Sequence, residues 1–218
     1  MKKTAFVFDM NGTMIDDMAY HTKVWHHLLT EDLGSKLTYE EVKLNMYGKN
    51  GDVFDRIFGK NKFTEEEVNH WSIEKEKRYQ KVYFPHLELI DGLDLFLEKA
   101  KKNNIQMGIG SAAIPFNINF VLDNLNLHSY FNTVVSADDV SISKPHPETF
   151  LKAAKNLHSH PEQCVVFEDA PKGVEAAQNA GMECVVILSA HGPEDFKKYN
   201  NVIAMVKDYK DKVLEKLF

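Results

Sequence analysis

Thr4-Ala5-Phe6-Val7-Phe8-Asp9 is a short apolar run rich in strand-forming residues that ends on an acid, and Met10-Asn11-Gly12-Thr13 follows it as a turn. Residues 106–110, 133–137, 164–167 and 183–187 have the same character. Helical patterns separate most of them. Residues 92–103 put Leu93, Phe96, Leu97 and Ala100 on one face, and residues 147–157 do so with Phe150, Leu151, Ala154 and Leu157. Residues 172–180 follow with Val174 and Ala177, and Gly181 is a stop signal. Alternating strands and helices predict a parallel sheet wrapped by helices, and right-handed crossovers make it doubly wound α/β. Ligands of such sheets bind beyond the carboxyl ends of the strands.

The stretch from about Asp16 to Phe84 breaks this rhythm and reads as wholly helical. Thr38-Tyr39-Glu40-Glu41 and Thr64-Glu65-Glu66-Glu67 both fit a capping box, in which hydroxyl and acid satisfy end amides reciprocally. Ala19 to Leu33 carries Tyr20, Val24 and Leu28 at helical spacing. The division expected is an α/β core of residues 1–15 and 86–218 with an inserted α-helical cap of residues 16–85.

Composition narrows the function classes. The 218 residues carry 32 acids against 26 bases, a net charge of -6, which disfavours nucleic acid as a partner. Apolar stretches such as residues 203–206 fall far short of a membrane span. Met1-Lys2-Lys3 leads directly into the first strand with no signal-peptide core, and Cys164 and Cys184 read as buried free thiols, so a cytoplasmic location is expected. No obligate protein partner is indicated. Gly108-Ile109-Gly110 is only part of a dinucleotide fingerprint, and neither a nucleoside-triphosphate loop nor a Gly-x-Ser-x-Gly elbow occurs. His158 and His160 beside Pro161 read as an exposed loop.

Four strand ends carry polar residues that fit one reaction. Asp9 closes the first strand, and a carboxylate there can attack phosphorus to form an acyl phosphate. Ser111 follows the strand at 106–110; its hydroxyl and the amides after it, beginning at Ala112, can hold phosphoryl oxygens. Lys144 in Ser143-Lys144-Pro145 would offset the charge of nucleophile and phosphate. Glu168-Asp169 follows the strand at 164–167 and, facing Asp9, makes the hard oxygen site that Mg²⁺ prefers. Each element alone has a plainer reading as a turn, a helix cap or a solvated lysine; their order and convergence on one sheet edge carry the case.

Phe8-Asp9-Met10-Asn11-Gly12-Thr13, Gly110-Ser111, Ser143-Lys144-Pro145-His146-Pro147 and Phe167-Glu168-Asp169-Ala170-Pro171-Lys172-Gly173 together resemble the four motifs of the haloacid dehalogenase-like superfamily, in its β-phosphoglucomutase-like branch with a helical cap. The resemblance implies that Asp9 is the nucleophile and that Mg²⁺ is held by Asp9, Asp169 with Glu168 beside it, and the backbone carbonyl of Asn11. Ser111 and Lys144 would hold the phosphate. In the cap it implies that His21 and Trp25 face the active site, that Gly48-Lys49-Asn50 lies in a specificity loop, and that Lys75 is a further cap lysine. Plainer readings are helix packing for His21 and Trp25, and a solvated face for Lys49, Asn50 and Lys75.

Two departures shape the functional expectation. Phosphotransferring members of the family carry a second aspartate two residues after the nucleophile, and here that residue is Asn11. An amide cannot move a proton, a loss worth about 10²–10⁴ in rate. His21 is the nearest imidazole that could stand in. The arginine with which β-phosphoglucomutases grip a distal phosphate corresponds to Gly51, with Lys49 or Arg56 as substitutes. The expectation is therefore a Mg²⁺-dependent phosphohydrolase of a small phosphoester, such as a sugar phosphate. The alternatives are a phosphosugar mutase and a near-inactive phosphoester-binding protein.

Overall fold

The computed structural model describes residues 3–218; Met1 and Lys2, read above as the start of a leaderless N-terminus, lie outside the described residues. The chain divides into two compact units, Met1–Asp16 with Glu88–Phe218, and Asp17–Leu87.

The first unit is a six-stranded, all-parallel sheet. Its strands are β1 (Ala5–Phe8), β2 (Gln106–Gly110), β3 (Thr133–Val135), β4 (Cys164–Glu168), β5 (Glu183–Ile187) and β6 (Val202–Val206), in the order β3-β2-β1-β4-β5-β6. The chain leaves β1 toward β2 and later returns to its other side as β4, so the loops after these strands diverge around the end of β1. That is where an open α/β sheet forms its crevice.

Side chains alternate across the strands and fill both faces. Ala5, Val7, Cys164, Val166, Cys184 and Val186 face Phe150, Ala153 and Ala154 of one helix (Glu148–Asn156) and Val174 and Ala177 of another (Pro171–Asn179). On the other face Phe6, Phe8 and Phe167 form an aromatic cluster with Phe96 and Tyr209; Phe8 stacks on Phe167 with centroids 4.6 Å apart. Each fully buried ring of this kind contributes about 1.5–3 kcal/mol of transfer free energy. Cys164 and Cys184 are buried free thiols, as read from the sequence.

The second unit is helical: α1 (Met18–His27), α2 (Tyr39–Asn45), α3 (Asn50–Phe58) and α4 (Glu65–Tyr83). Both capping boxes form. Thr38 Oγ1 accepts from the Glu41 amide and Thr64 Oγ1 from the Glu67 amide, while Glu41 and Glu67 accept from the amides of Thr38 and Thr64 at 2.8 Å. The stretch read as one helix to Leu33 changes pitch: Leu28–Asp32 is a π turn. The wider turn lets the adjacent Leu28 and Leu29 both face the unit's own core, with Trp25, Val42, Val53 and Phe54. Among the described residues no helix is long and apolar enough to cross a membrane.

Candidate active site

Register brings the strand-end residues into one row. Phe8 pairs with Ile109 on one side and Phe167 on the other. The next residues along are therefore Asp9, then Gly110-Ser111, then Glu168-Asp169. The Asp9 amide donates to the Phe167 carbonyl at 2.9 Å, extending the ladder to Asp9. Carboxylate oxygens of Asp9, Glu168 and Asp169, all buried, lie within 4.8 Å of one another.

Lys144 reaches this cluster from the loop before Glu148–Asn156. Its Nζ donates to Asp9 Oδ1 at 2.6 Å and to Glu168 Oε1 at 2.8 Å, with only 8% of its side chain exposed. The loop is anchored by the amides of Ser141 and Ile142, which donate to the Glu148 carboxylate at 3.0 Å, and by Asn179 Nδ2, which donates to the Pro145 carbonyl. Burial alone would lower the lysine's pKa, but the flanking Asp9 and Glu168 carboxylates outweigh it and hold the ammonium above its ordinary range.

Glu168 has a second attachment. Its Oε2 accepts from the amides of Asp169 and Ala170 at 2.9 Å, at the start of the helix Pro171–Asn179. Gly173 makes room for it, since a Cβ there would lie 1.7 Å from Glu168 Oε1. The carboxylate thus satisfies helix-end amides while orienting Lys144. Asp169 has the same relation to Gly12, whose φ is +74° and whose Cβ would lie 2.2 Å from Asp169 Oδ2. Thr13 Oγ1 donates to Asp169 Oδ1 at 3.3 Å. Ser111 is buried, its Oγ accepting from the Ala113 amide at 3.1 Å; the half-buried Ala112 lies between them. Asn11 lies in the turn after β1, where the Gly12 amide donates to the Ile15 carbonyl at 2.8 Å.

The donor set fits a hard divalent cation: clustered buried carboxylates, and a glycine cradle that admits one of them to the turn. Asp9 and Asp169 are the residues suited to hold it, with the main chain at Asn11 beside them. Tyr209 lies nearby; burial first, then Asp9 and Asp169, push its phenol well above the usual range, which keeps the hydroxyl protonated.

The helical unit gathers its own polar residues. Lys75 Nζ lies 2.7 Å from His21 Nδ1 and 3.0 Å from Glu76 Oε2, and Asn50 Nδ2 donates to Glu76 Oε1 at 2.9 Å. His21 Nε2 lies 3.2 Å from Asp17 Oδ2, to which the Tyr79 hydroxyl also donates. Both ring nitrogens of His21 thus face partners inside the helical unit. Trp25 packs against Phe54 in this unit's core, and Lys75 is buried rather than solvated. Gly48 has φ +83°, and the Lys49 amide donates to Asp52 at 2.9 Å as α3 begins. Arg56 does not substitute for a phosphate-gripping arginine: it donates to the carbonyls of Asn45 and Tyr47 and lies 3.6 Å over the Tyr47 ring, bracing the loop from inside. The sequence reading missed Asp17, Glu76 and Tyr79. The i,i+4 spacing of Asp17 with His21 and of Lys75 with Tyr79 is the signal that could have found two of them.

A family model described as haloacid dehalogenase-like hydrolase matches residues 6–187. The chain belongs to that family. Among its relatives, the fructose-1-phosphate phosphatase YqaB of Escherichia coli is 33% identical over 181 residues, covering 82% of this chain and 93% of that protein. The β-phosphoglucomutase of Bacillus subtilis is 28% identical over 186 residues, covering 83% and 81%. Among solved structures, a family IA, variant 3 hydrolase from Entamoeba histolytica superposes with a TM-score of 0.87 at 26% identity, covering 100% of this chain and 97% of that one. The β-phosphoglucomutase of Clostridium difficile gives 0.83 at 29%, covering 99% and 97%. The family places the chain among hydrolases, and these relatives include a phosphatase and a phosphomutase.

Proposed function

We propose that the protein is a Mg²⁺-dependent phosphohydrolase that acts on a small phosphoester, of the sugar-phosphate class, through an aspartyl phosphate on Asp9. The observation that carries this reading is the buried clamp in which Lys144 bridges Asp9 and Glu168 beside Ser111 and Asp169. In the first half-reaction an Asp9 carboxylate oxygen attacks phosphorus and the bond to the substrate oxygen breaks. In the second, water attacks the same phosphorus, and phosphate leaves with the carboxylate restored. Lys144 and the Ser111 hydroxyl, with the Ala112 amide, hold the phosphoryl oxygens. Mg²⁺, held by Asp9, Asp169 and the Asn11 carbonyl, would supply charge neutralisation at the phosphoryl group. Glu168 keeps Lys144 oriented. The departing alkoxide needs a proton and the attacking water must lose one, and the Asn11 amide does neither.

Mutase chemistry is disfavoured by Gly51, which sits in the first turn of α3 with no charge to offer a second phosphate. A phosphate-release screen over phosphosugars, nucleotides and pyrophosphate, with and without Mg²⁺, tests the proposal. Release from a sugar phosphate that requires Mg²⁺ and disappears in Asp9→Ala supports it. Efficient isomerisation of β-glucose 1-phosphate given a bisphosphate primer, without net phosphate release, would replace it with the mutase reading.

A further inference from the structure

The turn that follows the nucleophile strand is held from outside by two side chains that lie beyond the family match at residues 6–187. Ser189 Oγ donates to the Gly12 carbonyl at 2.6 Å. The Tyr209 hydroxyl donates to the next carbonyl, Thr13, at 3.0 Å. Tyr209 is 5% exposed and Thr13 fully buried, so water cannot replace that bond.

A peptide unit is planar, with its C=O and N–H pointing in opposite directions, so fixing both ends fixes its orientation. The Gly12–Thr13 unit has its carbonyl on Ser189 and its N–H toward Met10 O at 3.3 Å; the Thr13–Met14 unit has its carbonyl on Tyr209 and its N–H on Met10 O at 2.8 Å. The preceding unit, which contains the Asn11 carbonyl, has its N–H on Ile15 O at 2.8 Å. The Met10 and Ile15 bonds are internal to the turn and would move with it. Ser189 and Tyr209 tie it to the sheet's far half. The same turn carries Thr13 Oγ1, which donates to Asp169 Oδ1. Tyr209 also gives its amide to Asp91 O at 2.9 Å, and the neighbouring Ile90 gives its own to Met14 O at 2.9 Å, so one residue pins the chain where it leaves β1 and where it re-enters this unit.

We propose that Ser189 and Tyr209 are positioning residues that set the orientation of the nucleophile turn, and with it the Asn11 carbonyl and the Asp169 carboxylate. They touch no reacting atom. The consequence for the metal rests on the reading given under Proposed function; the consequence for the turn does not.

Tyr209→Phe keeps the ring against Phe8, Phe96 and Phe167 and removes only the hydroxyl; Ser189→Ala removes only Oγ. Three quantities are compared with the wild type: amide hydrogen exchange at Gly12 and Met14 without metal, the Kd for Mg²⁺ alone by calorimetry, and kcat and KM separately. Exchange at these amides should rise about tenfold in each variant, the worth of one ordinary hydrogen bond. The Mg²⁺ Kd should rise about 10–100-fold, as for other groups that orient a ligand. kcat should fall while KM stays within about twofold, since no substrate contact is lost. Unchanged exchange and unchanged Mg²⁺ affinity in the double variant overturn the proposal, even if its thermal midpoint drops. A wild-type protein that binds no Mg²⁺ overturns the metal reading of the site, and the exchange comparison then still decides the role of the two hydroxyls.

Discussion

At the scale of single residues, the proposed function makes Asn11 the position that limits the rate. Lys144 bridges Asp9 and Glu168, so on the proposed reading phosphoryl transfer keeps its charge stabilisation and would lack only proton transfer. His21 places its two ring nitrogens on Asp17 and Lys75 within the helical unit. Asn11→Asp should therefore raise kcat on a sugar phosphate by about 10²-fold or more. The rate of phosphoenzyme formation from an activated aryl phosphate, whose leaving group needs no proton, should change far less. Equal gains in these two rates would mean that residue 11 acts on something other than the leaving group's proton. Most of the core cluster was legible because Asp9, Ser111, Glu168 and Asp169 end or follow strands, where a strand pattern and an acid or hydroxyl can be read together; Lys144, read with them as a strand-end residue, stands instead in the loop before Glu148–Asn156. The attachments of Glu168 were not legible, because two amides and a lysine 24 positions away meet it only through the fold. Nor does periodicity reveal that Arg56 braces backbone carbonyls.

At the scale of elements, five strands follow from composition and β6 does not. Apart from the buried Val206 its residues are half-buried or exposed, with Ile203 42% exposed, as befits an edge strand that buries little. The helices α2 and α4 were readable from Thr38 and Thr64, whose capping chemistry is local. The polar layer between α1, α3 and α4 was not, because burial of Lys75 and Glu76 depends on tertiary packing. That layer predicts a pH response. Burial would raise the pKa of Glu76, but the Lys75 ammonium, then His21 and the Asn50 amide, reverse this and hold it below its usual 4.5. A carboxyl with a depressed folded pKa stabilises above its unfolded value and loses that contribution as pH falls through the folded one. Melting of the wild type should therefore steepen in its acid dependence below about pH 4.5. Glu76→Gln should flatten that limb and cost about 3 kcal/mol at neutral pH, because it leaves Lys75 buried beside His21, Asp17 and Tyr79 with one charge fewer to balance it. Parallel acid limbs for the two proteins would remove Glu76 from the explanation.

At the scale of the whole molecule, the chain combines a sheet unit that holds the acidic cluster with a helical unit that holds a separate polar network. A cation bound only by the folded sheet unit stabilises it by mass action. Mg²⁺ should therefore raise the thermal midpoint, increasingly with concentration, and Asp169→Ala should abolish the shift; an undiminished shift in that variant would place the cation elsewhere. The central claim is that Asp9 carries the phosphoryl group, and on the proposed reading of Asn11 it is open to direct observation, because a water with no base to activate it would leave the acyl phosphate slow to break down. The most direct measurement is rapid acid quenching after mixing with an aryl phosphate and Mg²⁺, followed by peptide mass mapping. A phosphoryl group on the peptide that contains Asp9, approaching one per molecule and absent from Asp9→Ala, is the predicted result. Turnover of the same substrate with no phosphoryl group at Asp9, or turnover that survives in Asp9→Ala, would contradict it.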